Sequence, residues 1–125
     1  MKTLRKFQQE SQDITIELSP TESRALRADL GEACFGFPLN NFEAAIGTTK
    51  EKAKALLERL NRLDLVRDSE LAVSREELRI LRNAHREALR DLGVEEYATR
   101  TGVEFTDGQI ISRELDELVD GASSW

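Results

Sequence analysis

The chain has 125 residues, of which 34% are charged and only 6% aromatic, and its formal net charge is −6. This length supports one domain with a single core. One cysteine and one histidine exclude an internal disulfide and the usual zinc ligand sets, and the acidic balance disfavours sequence-independent binding of nucleic acid, which depends on cationic contacts to phosphate.

Localisation is predicted from what the sequence contains. No apolar run approaches the roughly 20 residues that span a membrane. The segment Met1–Gln9 carries three cations, but no apolar stretch of the kind found in a secretory signal follows it. The lone Cys34 suits a reducing compartment. We therefore expect a cytoplasmic protein.

The chain predicts two similar halves. Residues 16–63 align with residues 71–118 at an offset of 55 without gaps. The identical pairs fall on helix starts, a turn glycine and apolar stripes: Ser19/Ser74, Glu22/Glu77, Arg24/Arg79, Leu26/Leu81, Arg27/Arg82, Glu32/Glu87, Ala33/Ala88, Gly47/Gly102, Leu60/Leu115 and Leu63/Leu118. Self-similarity at a fixed offset is typical of a repeated structural unit.

Each half begins with a predicted strand and a capped helix. Alternating apolar residues over 14–18, and a shorter run over 71–73, indicate strands. Ser19 and Ser74 each start an S-x-x-E capping box, which predicts long helices over 20–35 and 75–92. Shorter helices are expected over 39–46 and 94–101, each ending at a glycine. A third helix follows in each half, over 49–63 and 107–119.

The predicted fold is α+β and mostly helical, within one domain over 1–125. It is a tandem β-α-α-α repeat (about 13–63 and 69–119) with pseudo-two-fold symmetry and a small antiparallel two-stranded sheet. Residues 1–10 and 121–125 are expected to be flexible tails. Open strand edges make a homodimer a further expectation.

The single histidine and single cysteine are candidates for chemistry. His85 falls on the apolar stripe of its helix, at the position of Leu30 in the first half, so we expect it to fill a core position. Catalysis by His85 is the alternative, but no serine or cysteine motif accompanies it. Cys34 is expected to be a small buried apolar residue. No catalytic residue, metal site or cofactor is predicted, and we expect a protein that is not an enzyme.

A stripe of arginines is the first candidate binding surface. At helical spacing its members fall within about 80° of one another: Arg75, Arg79, Arg82, Arg86 and Arg90. Guanidinium groups suit bidentate contacts to carboxylate or phosphate. Pairing with acidic residues of the same half is the alternative. The second candidate surface is acidic and comprises Glu95, Glu96, Asp116, Glu117 and Asp120.

Residues 42–66 suggest a different function. A turn glycine at 47, apolar residues six and nine positions later, and the terminal Leu63-Asp64-Leu65-Val66 resemble a helix-turn-helix of winged-helix regulators. The resemblance implies that the helix over 49–63 enters the major groove. Its DNA contacts would then be Thr48, Thr49, Lys50 and Lys54. A purely structural helical corner requires the same apolar spacing.

The sequence thus favours a non-enzymatic, acidic protein-interaction module of bacterial or phage type. It would act as an inhibitor or immunity-like protein that occupies a partner protein's surface, because a negative surface steers onto a basic target. A helix-turn-helix regulator is the alternative function. Partners are therefore a protein or, less favoured, nucleic acid, and no membrane.

Overall fold

The computed structural model of the chain describes residues 1–5, 13–36 and 41–122, with side chains for 1, 13–36 and 41–121. Within these ranges the protein is mostly helical, with one small sheet. The strands are β1 (Lys2–Arg5), β2 (Ile14–Leu18) and β3 (Ser69–Val73). The helices are α1 (Pro20–Gly31), α2 (Phe42–Ile46), α3 (Lys50–Leu60), α4 (Arg75–Thr101) and α5 (Phe105–Ala122), and a π-helical turn (Glu32–Gly36) extends α1.

The sheet has the order β1-β2-β3, with both pairs antiparallel. The predicted pairing of β2 with β3 is confirmed, and Ile16 faces Leu71 at its centre. Ile14, Ile16 and Leu18 are fully buried, as their alternation predicted. Strand β1 was not predicted. It pairs with β2 on the side opposite β3, so the predicted flexible tail over 1–10 is wrong for residues 2–5.

The two long helices begin where their capping residues predict. Ser19 and Ser74 each accept a hydrogen bond from the backbone N–H of the glutamate three residues later. Each glutamate in turn accepts one from the backbone N–H of its serine. Both capping boxes are therefore complete, and each satisfies two backbone donors that the first helical turn leaves unpaired.

Three glycines break the helices in the left-handed conformation. Gly47 (φ 91°) ends α2, and Gly102 (φ 73°) ends α4. Gly93 (φ 73°, ψ −175°) interrupts α4 and divides it into the two helical segments predicted there. A residue with a Cβ adopts these positive φ angles only at a cost in conformational energy, which explains why glycine stands at each of the three positions. Helix α4 is kinked at Gly93, and Tyr97 lies buried on its second segment.

The core lies between the sheet and the helices. Its largest fully buried side chains come from β2 and all five α-helices and include Leu26, Leu30, Ile46, Leu60, Leu78, Leu81, Tyr97 and Leu115. Helix α4 is central, because both α1 and α5 pack along it.

Several predicted limits differ from the structure. Helix α3 begins one residue later and ends three residues earlier than expected, since Thr49 serves as its N-cap. Helix α5 is longer at both ends, so residues 121 and 122 belong to it and not to a tail. The predictions for residues 6–10, 39, 40 and 123–125 fall outside the described part of the chain. No helix in the described ranges is both long enough and apolar enough to cross a bilayer.

Candidate functional site

The predicted arginine stripe lies along the outward side of α4. Arg79, Arg86 and Arg90 are exposed, and Arg75 and Arg82 are half-buried. Leu78, Leu81 and Ala88 lie on the buried side of the same helix. We call the five arginines the arginine row.

Carboxylates pair with part of this row. Arg90 pairs with Glu87 on the same helix and approaches Asp91 at 3.5 Å. The Arg86 guanidinium lies 3.7 Å from Asp116 on α5, and Arg82 Nε donates to the Asn83 side chain at 3.1 Å. For Arg79 the described residues supply no carboxylate. The row is therefore partly neutralised at its C-terminal end and open at Arg79.

The acidic candidates are divided between two helices. Glu95 and Glu96 are exposed on the second segment of α4, and Glu96 pairs with Arg100 at 2.8 Å. Glu117 and Asp120 are exposed on α5, whereas Asp116 is half-buried beside Arg86. Asp116 thus belongs with the arginine row. The five acidic candidates therefore do not form one continuous surface.

The helix-turn-helix candidate consists of α2, the Gly47 turn and α3. Lys50 and Lys54 are exposed, and their ammonium groups lie over the rings of Phe42 and Phe35, at 5.7 and 5.1 Å from the ring centroids. Thr48 is buried, and the Thr49 hydroxyl accepts from the Lys52 backbone N–H as the N-cap of α3. Of the four residues expected to contact DNA, only the two lysines therefore present their functional groups at the surface.

His85 lies at the centre of a buried polar network that joins three helices. Its Nδ1 is 2.6 Å from Asp29 Oδ2 on α1, and its Nε2 is 2.7 Å from the Gly108 carbonyl oxygen on α5. The Tyr97 hydroxyl donates to Asp29 Oδ1 at 3.1 Å. All three side chains are at most 1% exposed.

The geometry constrains the protonation of this network. A carbonyl oxygen only accepts, so His85 Nε2 carries a proton and donates to Gly108. A proton on Nδ1 gives an imidazolium paired with ionised Asp29, the state that the raised pKa of His85 favours, whereas burial raises the pKa of Asp29. Burial alone lowers the pKa of His85, but the hydrogen bond and charge of Asp29, with the Gly108 carbonyl, raise it above the ordinary value. Burial, then the Asp29 charge, raises the pKa of Tyr97.

This arrangement is a structural clamp. An imidazole that acts as a general base needs one nitrogen directed at a substrate, and here both nitrogens are bonded inside the core. The expectation that His85 fills a core position agrees with its burial. Cys34 is also buried, and burial raises the pKa of its thiol, which disfavours the reactive thiolate.

Sequence reasoning missed Asp29 and Tyr97 as partners of His85. Asp29 lies on the apolar stripe of α1, between Leu26 and Ala33 at helical spacing. A carboxylate on such a stripe indicates a buried partner, and this signal was present in the sequence. The sequence also carried a signal at Gly108, because a glycine in the first turns of a helix indicates that a neighbouring side chain packs closely against the helix backbone. A Cβ at Gly108 would lie 3.0 Å from both Leu89 and Tyr97.

Comparisons with known proteins add no relative: no protein-family model matches the chain, and neither does any curated protein or solved structure. Within the described residues, no three His, Cys, Asp or Glu side chains are grouped so that they could hold a metal ion.

Proposed function

We propose that the protein is a non-enzymatic interaction module that occupies the surface of a partner protein, as an inhibitor or immunity-like protein does. The observation that carries this proposal is the arginine row, which presents exposed guanidinium groups along one side of α4. Arginine is enriched among residues that dominate protein interfaces. Asp116 of α5 lies beside Arg86 of the row and gives this surface both signs of charge.

Further support comes from the state of the row in the unbound chain. Arg86 approaches Asp116 only at 3.7 Å, and both groups are about half exposed. Exposed pairs of this kind contribute little to stability, about 0–1 kcal/mol. A partner carboxylate therefore competes with Asp116 at small cost, and Arg79 needs no rearrangement to receive one.

The test uses the chain as bait to recover a partner, followed by affinity measurements with the purified pair. We expect R79E/R86E to weaken binding by about tenfold or more, because two attractive contacts become repulsive. The matched control is R67E/R113E, which makes the same change in net charge at exposed positions outside the row. Equal affinity of R79E/R86E and the control would overturn the assignment of the interface to the row.

DNA binding through α3 is the second candidate. The observation that favours it is the helix–Gly47–helix corner, with Lys50 and Lys54 exposed at the start of α3. Glu51 and Glu58 are exposed on the same helix and would repel phosphate. A gel shift on random duplex at low salt tests this function: binding must weaken steeply with added salt and be lost in K50E/K54E. Absence of a shift excludes it.

We infer in addition that the chain is a tandem repeat with pseudo-two-fold symmetry. Strands β2 and β3, the capping serines, the left-handed Gly47 and Gly102, and the first residues of α3 and α5 are each separated by 55 positions. Two surface grooves, of about 290 and 200 Å³, also share counterpart residues. One is lined by Lys52, Leu56, Arg59, Ser74 and Glu77, and the other by Asp107, Ile111, Glu114, Ser19 and Glu22.

Localisation and oligomeric state complete the proposal. We place the protein in the cytoplasm, where the free, buried Cys34 stays reduced. A homodimer would use the outer edge of β3, where Arg59 donates to the Ala72 carbonyl and so already covers part of the edge. Sedimentation at several concentrations tests this state.

A further inference from the structure

A surface groove in the first half of the chain lies apart from the arginine row and has no role in the function proposed above. It has a volume of about 450 Å³ and lies between α1 with its π-helical turn and the C-terminal end of α3. Arg24, Arg27, Gly31 and Phe35 line one side, and Leu57 and Asn61 line the other. We call it the Phe35 groove.

The Phe35 groove occupies the positions that correspond to the row. At the offset of 55, Arg24 and Arg27 match Arg79 and Arg82, whereas Gly31 and Phe35 match Arg86 and Arg90. In the second half the Arg86 guanidinium lies 3.7 Å from Asp116. In the first half Gly31 has no side chain, and a Cβ there would meet nothing within 4 Å. The groove is open because a glycine replaces the arginine.

The chemistry of the Phe35 groove is cationic and aromatic. Among the described residues no carboxylate pairs with Arg24 or Arg27. Phe35 is 69% exposed, an unusual position for a phenyl ring, and the Lys54 ammonium lies 5.1 Å from its centroid. Leu57 supplies an apolar floor between these charges. The exposed ring in a concave groove therefore offers an apolar contact with cations around it.

We propose that the Phe35 groove binds an acidic peptide segment of a partner protein, with an apolar or aromatic side chain seated between Phe35 and Leu57. Charge complementarity selects the occupant: Arg24 and Arg27 line the groove, the Lys54 ammonium lies over the Phe35 ring, and none of these cations is paired with a carboxylate among the described residues. The apolar surface of Phe35 and Leu57 favours a peptide with an apolar side chain, and binding of a polynucleotide in the same place is an outcome that the test separates. This inference rests on the proposed function, since both require a protein partner.

The probe is a displayed library of random peptides selected on the immobilised chain. We expect the selected peptides to be rich in Asp and Glu around a Leu, Phe or Trp. Their affinity should fall by about tenfold or more in R24E/R27E and in F35A. It should fall similarly in G31Q, which puts a long neutral side chain into a position with free space and adds no charge to the groove. The control G121Q places the same side chain where a Cβ is also unobstructed, and it should bind like the wild type.

Three results would overturn the inference. The first is a selection without enrichment of acidic residues. The second is a set of acidic peptides that bind G31Q as tightly as the wild type, when circular dichroism shows both to be folded. The third is tighter binding of single-stranded oligothymidylate than of any selected peptide. If any of these results is obtained while the binding of a purified partner still depends on Arg79 and Arg86, the inference about the Phe35 groove is wrong but the proposed function stands. If no protein partner binds at all, the proposed function fails as well.

Discussion

Replacing Asp29 by alanine is expected to destabilise the protein strongly. The Asp29 carboxylate accepts two buried hydrogen bonds, from His85 at 2.6 Å and from Tyr97 at 3.1 Å. Its removal leaves His85 Nδ1 and the Tyr97 hydroxyl without their carboxylate partner in the core, although Nε2 keeps its bond to Gly108. Breaking a buried charge pair by removing one member costs about 3–5 kcal/mol. Since domains have about 5–15 kcal/mol of total stability, D29A should lose a large share of it.

The variant D29N separates the charge from the hydrogen bonds. Its amide can accept from Tyr97 and donate to a neutral His85, which still donates to Gly108. Every buried group then keeps a partner, so we expect a loss of only about 1–2 kcal/mol. The measurement is urea unfolding followed by circular dichroism at neutral pH, with the free energy of unfolding taken from the linear extrapolation.

The matched control is D91A, which removes a partly exposed surface carboxylate near Arg90 and should change stability by less than about 0.5 kcal/mol. The clamp is refuted if D29A costs less than about 1 kcal/mol, or if D29N costs as much as D29A.

Three further predictions concern the same core and the helix starts. Because the pKa of His85 is raised in the folded protein, its contribution to stability is complete below the ordinary value of 6.5 and is lost as the pH rises through the folded-state pKa. The free energy of unfolding should therefore decline in the wild type as the pH rises through that range, and it should change less in D29N. Equal slopes of free energy against pH in the two proteins would contradict the ion pair. G108A should cost about 1–3 kcal/mol, because a Cβ there would lie 3.0 Å from Leu89 and Tyr97; G121A, which meets nothing, is the control in the same melts. S19A and S74A should each lose about 1 kcal/mol in thermal unfolding, and a change below about 0.3 kcal/mol would show that the caps contribute little.

The parts of the fold that could be predicted are those that depend on local chemistry. The strand over 14–18, the capping boxes at Ser19 and Ser74 and the left-handed glycines each rest on a pattern of a few residues. The pairing of β2 with β3 followed from the similarity of the halves, which placed two strands for antiparallel contact. Strand β1 was missed because its pairing with β2 is non-local, and the short stretch over 2–5 carries no strong alternation of its own.

The buried network and the Phe35 groove could not be predicted for a related reason. Asp29 and His85 are 56 residues apart in sequence, and Asp29 and Tyr97 are 68 apart. Their contact depends on the packing of α1 against α4 and on the kink at Gly93. The groove lies beside Gly31, which has no side chain, and beside Phe35, whereas arginines stand at both corresponding positions of the second half. Only the packing of α1 against α3 shows that these residues border a groove.

The location of binding can be observed directly by NMR, with the ¹⁵N-labelled chain titrated with the tightest acidic peptide from the selection. We expect the largest amide shift changes at Arg27, Gly31, Phe35 and Asn61, with little change around Glu95 and Glu117. Shift changes confined to α5, or a spectrum that does not change at saturating peptide, would contradict a protein-binding surface in the Phe35 groove.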